Sequence, residues 1–192
     1  MSAVRQLVKG ALRSALQSKP ARSLLKLGDF QLAPYREVQD PMECLADHLA
    51  RVLIRQRINL VLDVGANKGQ TGLLLRRIGY RGRIVSFEPV SANHRALAER
   101  AARDPDWQHH ALALGAADAE QTINLTRHSV FDSFLSPTDY SLQQFGGDSE
   151  VIGSEVVQVR RLDDLIDTCT AGLEQPRIFL KLDTQGYDGE VL

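Results

Sequence analysis

The chain is poor in cysteine, tryptophan and methionine, carries no excess of charge and contains no long apolar run. Its two cysteines, Cys44 and Cys169, lie far apart and match no metal-ligand spacing. They encode neither a disulfide framework nor a zinc module, and no metal site is expected. A formal net charge of −1 gives no sign of a nucleic-acid partner, which calls for a strongly basic balance. No run approaches the roughly 18 apolar residues of a membrane span, and no signal-peptide core is visible. The simple reading is a reduced, cytoplasmic protein. Two phosphate-binding patterns are also missing: Gly-x-Gly-x-x-Gly and the Gly-Lys-Ser/Thr of a P-loop.

What is present is ordinary material for one globular domain: 192 residues, 43% hydrophobic and 24% charged. Residues 1–39 read as an N-terminal extension and 40–192 as the domain. Arg5, Lys9, Arg13, Lys19, Arg22 and Lys26 precede the first acid, Asp29. With Leu7, Val8, Leu12 and Leu16 on the other side they predict a basic amphipathic helix ending before Pro20. It suits either packing on the domain or a second subunit, or peripheral contact of residues 1–27 with an anionic membrane. Asp40, Pro41 and Glu43 mark the start of a further helix, running to about Arg57 with Leu45, Leu49, Val52 and Leu53 inward.

From Leu60 the pattern alternates. Strands are predicted at Leu60–Val64, Arg83–Glu88, Trp107–Leu114 and Ile178–Leu182, with helices at Gln70–Ile78, Ser91–Arg103 and Arg161–Thr168. Such alternation implies an α/β, Rossmann-like parallel sheet with helices on both faces. Thr122–Leu125 and Val156–Val159 alternate as half-exposed strands, a β insertion between the third and fourth core strands around a polar segment, 133–153. Four core strands are expected, against the seven usual for the fold read below, so the sheet is expected to stop after the fourth.

In a parallel sheet the ligand lies beyond the carboxyl ends of the strands, where Asp63, Glu88, Leu114 and Asp183 all fall. The turn Gly65-Ala66-Asn67-Lys68-Gly69 brings backbone close to a ligand, and Glu88 suits a ribose diol. Asp63 would repel a pyrophosphate and attract a cation. A nucleoside carrying positive charge fits, and S-adenosylmethionine is such a molecule. On this reading Asp63, Gly65, Ala66, Asn67 and Gly69 hold its methionine part and Glu88 its ribose. Residues Leu114–Asp118 flank the adenine, with Leu114 and Asp118 as contacts. Asp183, Lys181 and Gln185 face the acceptor or the cofactor's ammonium. His94, His109, His110 and His128 are candidate bases; His128, in the irregular segment, stands nearest the predicted crevice.

The segments 61–71 (Val-Leu-Asp-Val-Gly-Ala-Asn-Lys-Gly-Gln-Thr), 87–89 (Phe-Glu-Pro), 113–115 (Ala-Leu-Gly), 161–165 (Arg-Leu-Asp-Asp-Leu) and 180–188 (Leu-Lys-Leu-Asp-Thr-Gln-Gly-Tyr-Asp) resemble the FkbM family of S-adenosylmethionine-dependent methyltransferases. The likeness starts near residue 60. It implies the class I methyltransferase fold and O-methylation, usually of a sugar hydroxyl in a glycan, glycolipid or natural product. Family members often carry Glu where this chain has Gln185 and Asp188, so no acid–base role is carried to Gln185. Asp183 is the better candidate for orienting or deprotonating the acceptor, with Lys181 and His128 beside it. Two alternatives stay open: a nicotinamide-dependent oxidoreductase, disfavoured by the glycine spacing, and a non-catalytic, membrane-associated binding subunit. The partners expected are a small-molecule or glycan acceptor and a second copy of the chain. Because its predicted sheet stops early, the isolated chain is expected to turn over weakly.

Overall fold

Leu60, Val61, Leu62 and Val64 form an almost unbroken apolar run, and such a strand needs cover on both faces. In the computed structural model, which describes residues 41–192 and two short strands before them, this run is buried at every position. The short strands, β1 (Lys26–Leu27) and β2 (Phe30–Gln31), pair antiparallel and belong to a unit separate from residues 42–192. The basic helix expected before Pro20 and the Asp40 cap lie outside the described residues.

Along the larger unit come α1 (Pro41–Arg55), β3 (Leu60–Val64), α2 (Gln70–Arg77), β4 (Arg83–Phe87), α3 (Ser91–Ala101) and β5 (Trp107–His110). There follow β6 (Ala113–Leu114), β7 (Ala119–Thr126), α4 (Asp139–Phe145), β8 (Val151–Arg160), α5 (Leu162–Thr170), β9 (Ile178–Leu182) and α6 (Asp188–Val191). β5, β4, β3 and β9 lie side by side in that order, all parallel. The chain leaves β3 toward β4 and β5, then returns to β9 on the other side. That reversal opens a crevice at the carboxyl ends. Register sets Asp63 opposite Ser86 on one neighbour and Lys181 on the other.

Helices cover both faces. Leu53 of α1, Leu75 of α2 and Leu97 of α3 pack with Val61, Ile84 and Trp107 on one side. Leu165 and Cys169 of α5 and Val191 of α6 pack with Leu62, Val85 and Phe87 on the other. Trp107 lies under α2 because Gly72 has no side chain; a Cβ there would enter the indole ring. On α1 the inward positions are Ala46 and Leu53, while Leu45 is exposed. Among the described residues no helix is long and apolar enough to cross a membrane.

Three local expectations change. The third strand does not run to Leu114. β4 ends at Phe87, opposite His110, so residues beyond His110 have no partner there. The chain bends at Ala111 and Leu112, and Ala113 and Leu114 pair instead with Val159 and Arg160 of β8. The inserted strands are longer than their alternation suggested, with β7 antiparallel to β8 along most of both. Within the segment read as polar loop, α4 forms, its first turn capped by Thr138, whose hydroxyl accepts from Ser141 N–H at 3.2 Å.

Candidate active site

The carboxyl ends of β3, β4 and β9 and the inserted segment enclose a cavity of about 270 Å³. Its floor is the turn Val64–Asn67, its rim Glu88 and Pro89, and its far wall Ser129–Phe134. Lys181, Asp183 and Tyr187 close the remaining side. Glu88, Asp132 and Asp183 are the carboxylates on this lining and Lys181 the cation, so the walls are net acidic.

Register alone brings Lys181 beside Asp63, and the contact is intimate. The ammonium stands 3.0 Å from Asp63 Oδ1 and 3.7 Å from Asp183 Oδ2. It also donates to the carbonyls of Gly65 (2.9 Å) and Val64 (3.3 Å). Asp63 is fully buried. Burial pushes its carboxyl up, and Lys181 and the Ser86 hydroxyl (3.5 Å from Oδ2) pull it back. Ser86 in turn accepts from the Trp107 indole at 3.0 Å. Asp63 does not line the cavity, contrary to the expectation that it would meet a ligand; Lys181 stands between. Asp183 is the carboxylate of this trio on the cavity wall. Its Oδ1 accepts from Gln185 Nε2 at 2.7 Å.

Glu88 follows β4 and is 5% exposed. Oε2 accepts from Asn67 N–H at 2.7 Å and Oε1 from Val90 N–H at 3.0 Å. A carboxylate offers about four acceptor positions, so capacity remains for a ligand beyond these donors and the neighbouring Asn93 side chain. Burial pushes this carboxyl up to about 7, the backbone donors and the Asn93 side chain opposing it and Asp132 adding to it. Asn67 adopts a left-handed backbone, φ 50°. Its amide donates to the Ser129 carbonyl at 2.8 Å, tying the turn to the inserted segment. Ser133 adds a second tie, donating to the Gln185 carbonyl at 3.1 Å.

The glycines serve packing more than ligand approach. Gly65, at φ 70°, lies so close to the Asp183 carbonyl that any Cβ would overlap it. Gly65→Ala is therefore expected to lose at least 2 kcal/mol, about the sum of a left-handed alanine and a displaced loop. Urea unfolding checks this; a loss below about 0.5 kcal/mol would refute the contact. Gly69, at φ 86°, starts α2, and a Cβ there would press on Leu97 and Trp107.

Of the other expected residues, Ala66, Asn67 and Leu114 line the cavity and Gly69 does not. Asp118 lies off it, paired with Arg160 at 2.5 Å. His128 lies off it as well. Its backbone N–H donates to the Asp148 carbonyl, and its ring meets Phe131 edge-on. His94 and His109 contact one another at 2.9 Å, also outside the lining. Asp132 and Tyr187 also line it: Asp132 carries no local signal and is brought there by the path of the insertion, whereas Tyr187 follows β9 within the segment 180–188.

A parallel sheet in this order, helices on both faces and a crevice at its carboxyl ends define the Rossmann-like fold of the methyltransferases. Residues 63–192, more than half of the chain, match the methyltransferase FkbM domain. The chain belongs to the FkbM methyltransferase family. It is also 31% identical over 93 residues to the AMB antimetabolite synthetase AmbE of Pseudomonas aeruginosa. That segment is 48% of this chain and 4% of AmbE, so the chain spans only a small part of that relative's length.

Proposed function

We propose that the protein is an S-adenosylmethionine-dependent O-methyltransferase acting on a hydroxyl of a sugar or glycan acceptor. The observation that carries this is Glu88: a buried carboxylate following the second strand, with acceptor capacity remaining and on the cavity lining. A ribose diol donates two hydrogen bonds to such a group. The net acidic lining supports a cationic nucleoside over a dinucleotide, whose pyrophosphate would meet Asp183 and Asp132.

Glu88 would hold the ribose, and the backbone of Gly65–Asn67 with Asp183 the amino-acid end. When bound, S-adenosylmethionine supplies a methyl carbon on a sulfonium, open to direct displacement by a hydroxyl oxygen. The chain's own work is alignment and exclusion of water. Asp183, half exposed and held by Gln185, orients the acceptor hydroxyl and accepts its proton. Lys181, 3.7 Å from its Oδ2, holds Asp183 in place. The inserted segment, tied down by Asn67 and Ser133, walls the acceptor side.

Titration with S-adenosylhomocysteine and with NADH tests the assignment: binding of NADH alone would reverse it. Asp183→Asn is expected to lower methyl transfer from labelled S-adenosylmethionine to hydroxyl-bearing saccharides by 10²-fold or more, the usual range for losing a proton acceptor. Its affinity for S-adenosylhomocysteine should stay within about tenfold, as loss of one charged contact allows. Undiminished transfer would remove Asp183 from the chemistry.

A further inference from the structure

A second cavity, also of about 270 Å³, lies among residues that precede β3 and β4, lined by Leu53, Ile54, Ile58 and Ile78 with Arg57 and Arg81. It therefore sits at the amino ends of the strands, about 16 Å of strand away from the site described above. Ile54 is 77% exposed there. Between Arg51 and Arg83 the sequence holds seven arginines, Lys68 and one acid, Asp63, which is buried against Lys181. Arg76 and Arg83 are tied into the fold, and Arg81 also donates to the Tyr80 carbonyl at 3.3 Å. Arg76 pairs with Asp104 at 2.6 Å, and Arg83 donates to the carbonyls of Cys169 and Ala171. Arg55, Arg57, Arg77 and Arg81 are exposed, and none of them pairs with a carboxylate among the described residues.

We propose that this arginine-ringed apolar groove docks the protein on an anionic lipid surface. Ile54 enters the headgroup–acyl boundary while the guanidinium groups meet lipid phosphates. The polar groups beside the groove are already engaged: Tyr80 donates to the Arg83 carbonyl at 3.3 Å and Asn59 to that of Gln175 at 3.0 Å. What the groove offers is charge and apolar area without direction, the chemistry of a lipid surface and not of a keyed peptide. Docking through this end leaves the crevice at the opposite end of the sheet open.

Co-sedimentation of the full chain with phosphatidylcholine vesicles, with and without phosphatidylglycerol, tests the proposal. Wild type should bind only the anionic vesicles, less at high salt. Each basic residue near such a surface contributes about fivefold, so Arg57→Gln with Arg81→Gln should weaken binding about thirtyfold. Ile54→Ser should weaken it too, at an exposed position where folding is not at stake. Arg95→Gln, on α3, should change it far less. No binding of wild type to anionic vesicles, as expected if a protein occupies the groove, overturns the proposal. So does an equal loss in Arg95→Gln, or unchanged binding by Ile54→Ser.

Discussion

Replacing Lys181 by Met is expected to destabilise the fold by about 3–5 kcal/mol, the cost of leaving a buried carboxylate without its partner. Asp63 is fully buried, and the Gly65 carbonyl would lose its donor as well, while that of Val64 keeps the Asp183 N–H. The loss should be pH-dependent. An Asp63 raised further, with no cation beside it, binds more protons folded than unfolded. Stability therefore falls as pH rises above the ordinary carboxylate range. The Lys181→Met variant should be nearer wild type at pH 5 than at pH 8. Adding Asp63→Asn should restore much of the loss, a coupling that a double-mutant cycle in guanidinium measures. Additive losses would mean that the two side chains do not depend on one another.

The second large effect is on binding. Glu88→Ala should cost about 1.5–3 kcal/mol in affinity for S-adenosylhomocysteine by calorimetry, as expected for losing hydrogen bonds to a charged acceptor. Wild type should bind more tightly as pH rises. With Glu88 at about 7 in the unliganded protein and the diol bound by the carboxylate, affinity at pH 6 should be about tenfold below that at pH 8. The same group acts oppositely on the fold. Raised from 4.5, it binds protons in the native state that the unfolded chain has released. Its contribution to stability declines across pH 4.5 to 7, and ligand binding offsets that decline. A flat pH profile of affinity, or Glu88→Ala binding at full strength, would remove the carboxylate from the ribose site.

Much of this was legible in advance, because the signals were local. The strands Leu60–Val64 and Ile178–Leu182 are continuous or nearly continuous apolar runs, and both hold residue for residue. The helices after β3 and β4 begin at the expected Gln70 and Ser91. Other features had no local signal. The helix Asp139–Phe145 exposes Tyr140, Leu142 and Phe145, so no buried stripe announced it. The stop at His110 depends on where β4 ends. The role of Gly65 depends on a carbonyl more than a hundred residues away.

By itself the sequence determined the order of the core strands and the helices between them, the acid at the tip of the second strand and the family to which these motifs belong. Apolar periodicity and turn chemistry act within a few residues, and they can be read one segment at a time. Only the tertiary structure decided that Lys181 covers Asp63, that Asp183 takes the place on the cavity wall, and that the insertion closes over Asn67. Those contacts join groups far apart in the chain, and strand register and burial, which no single segment carries, choose the partner of a charge.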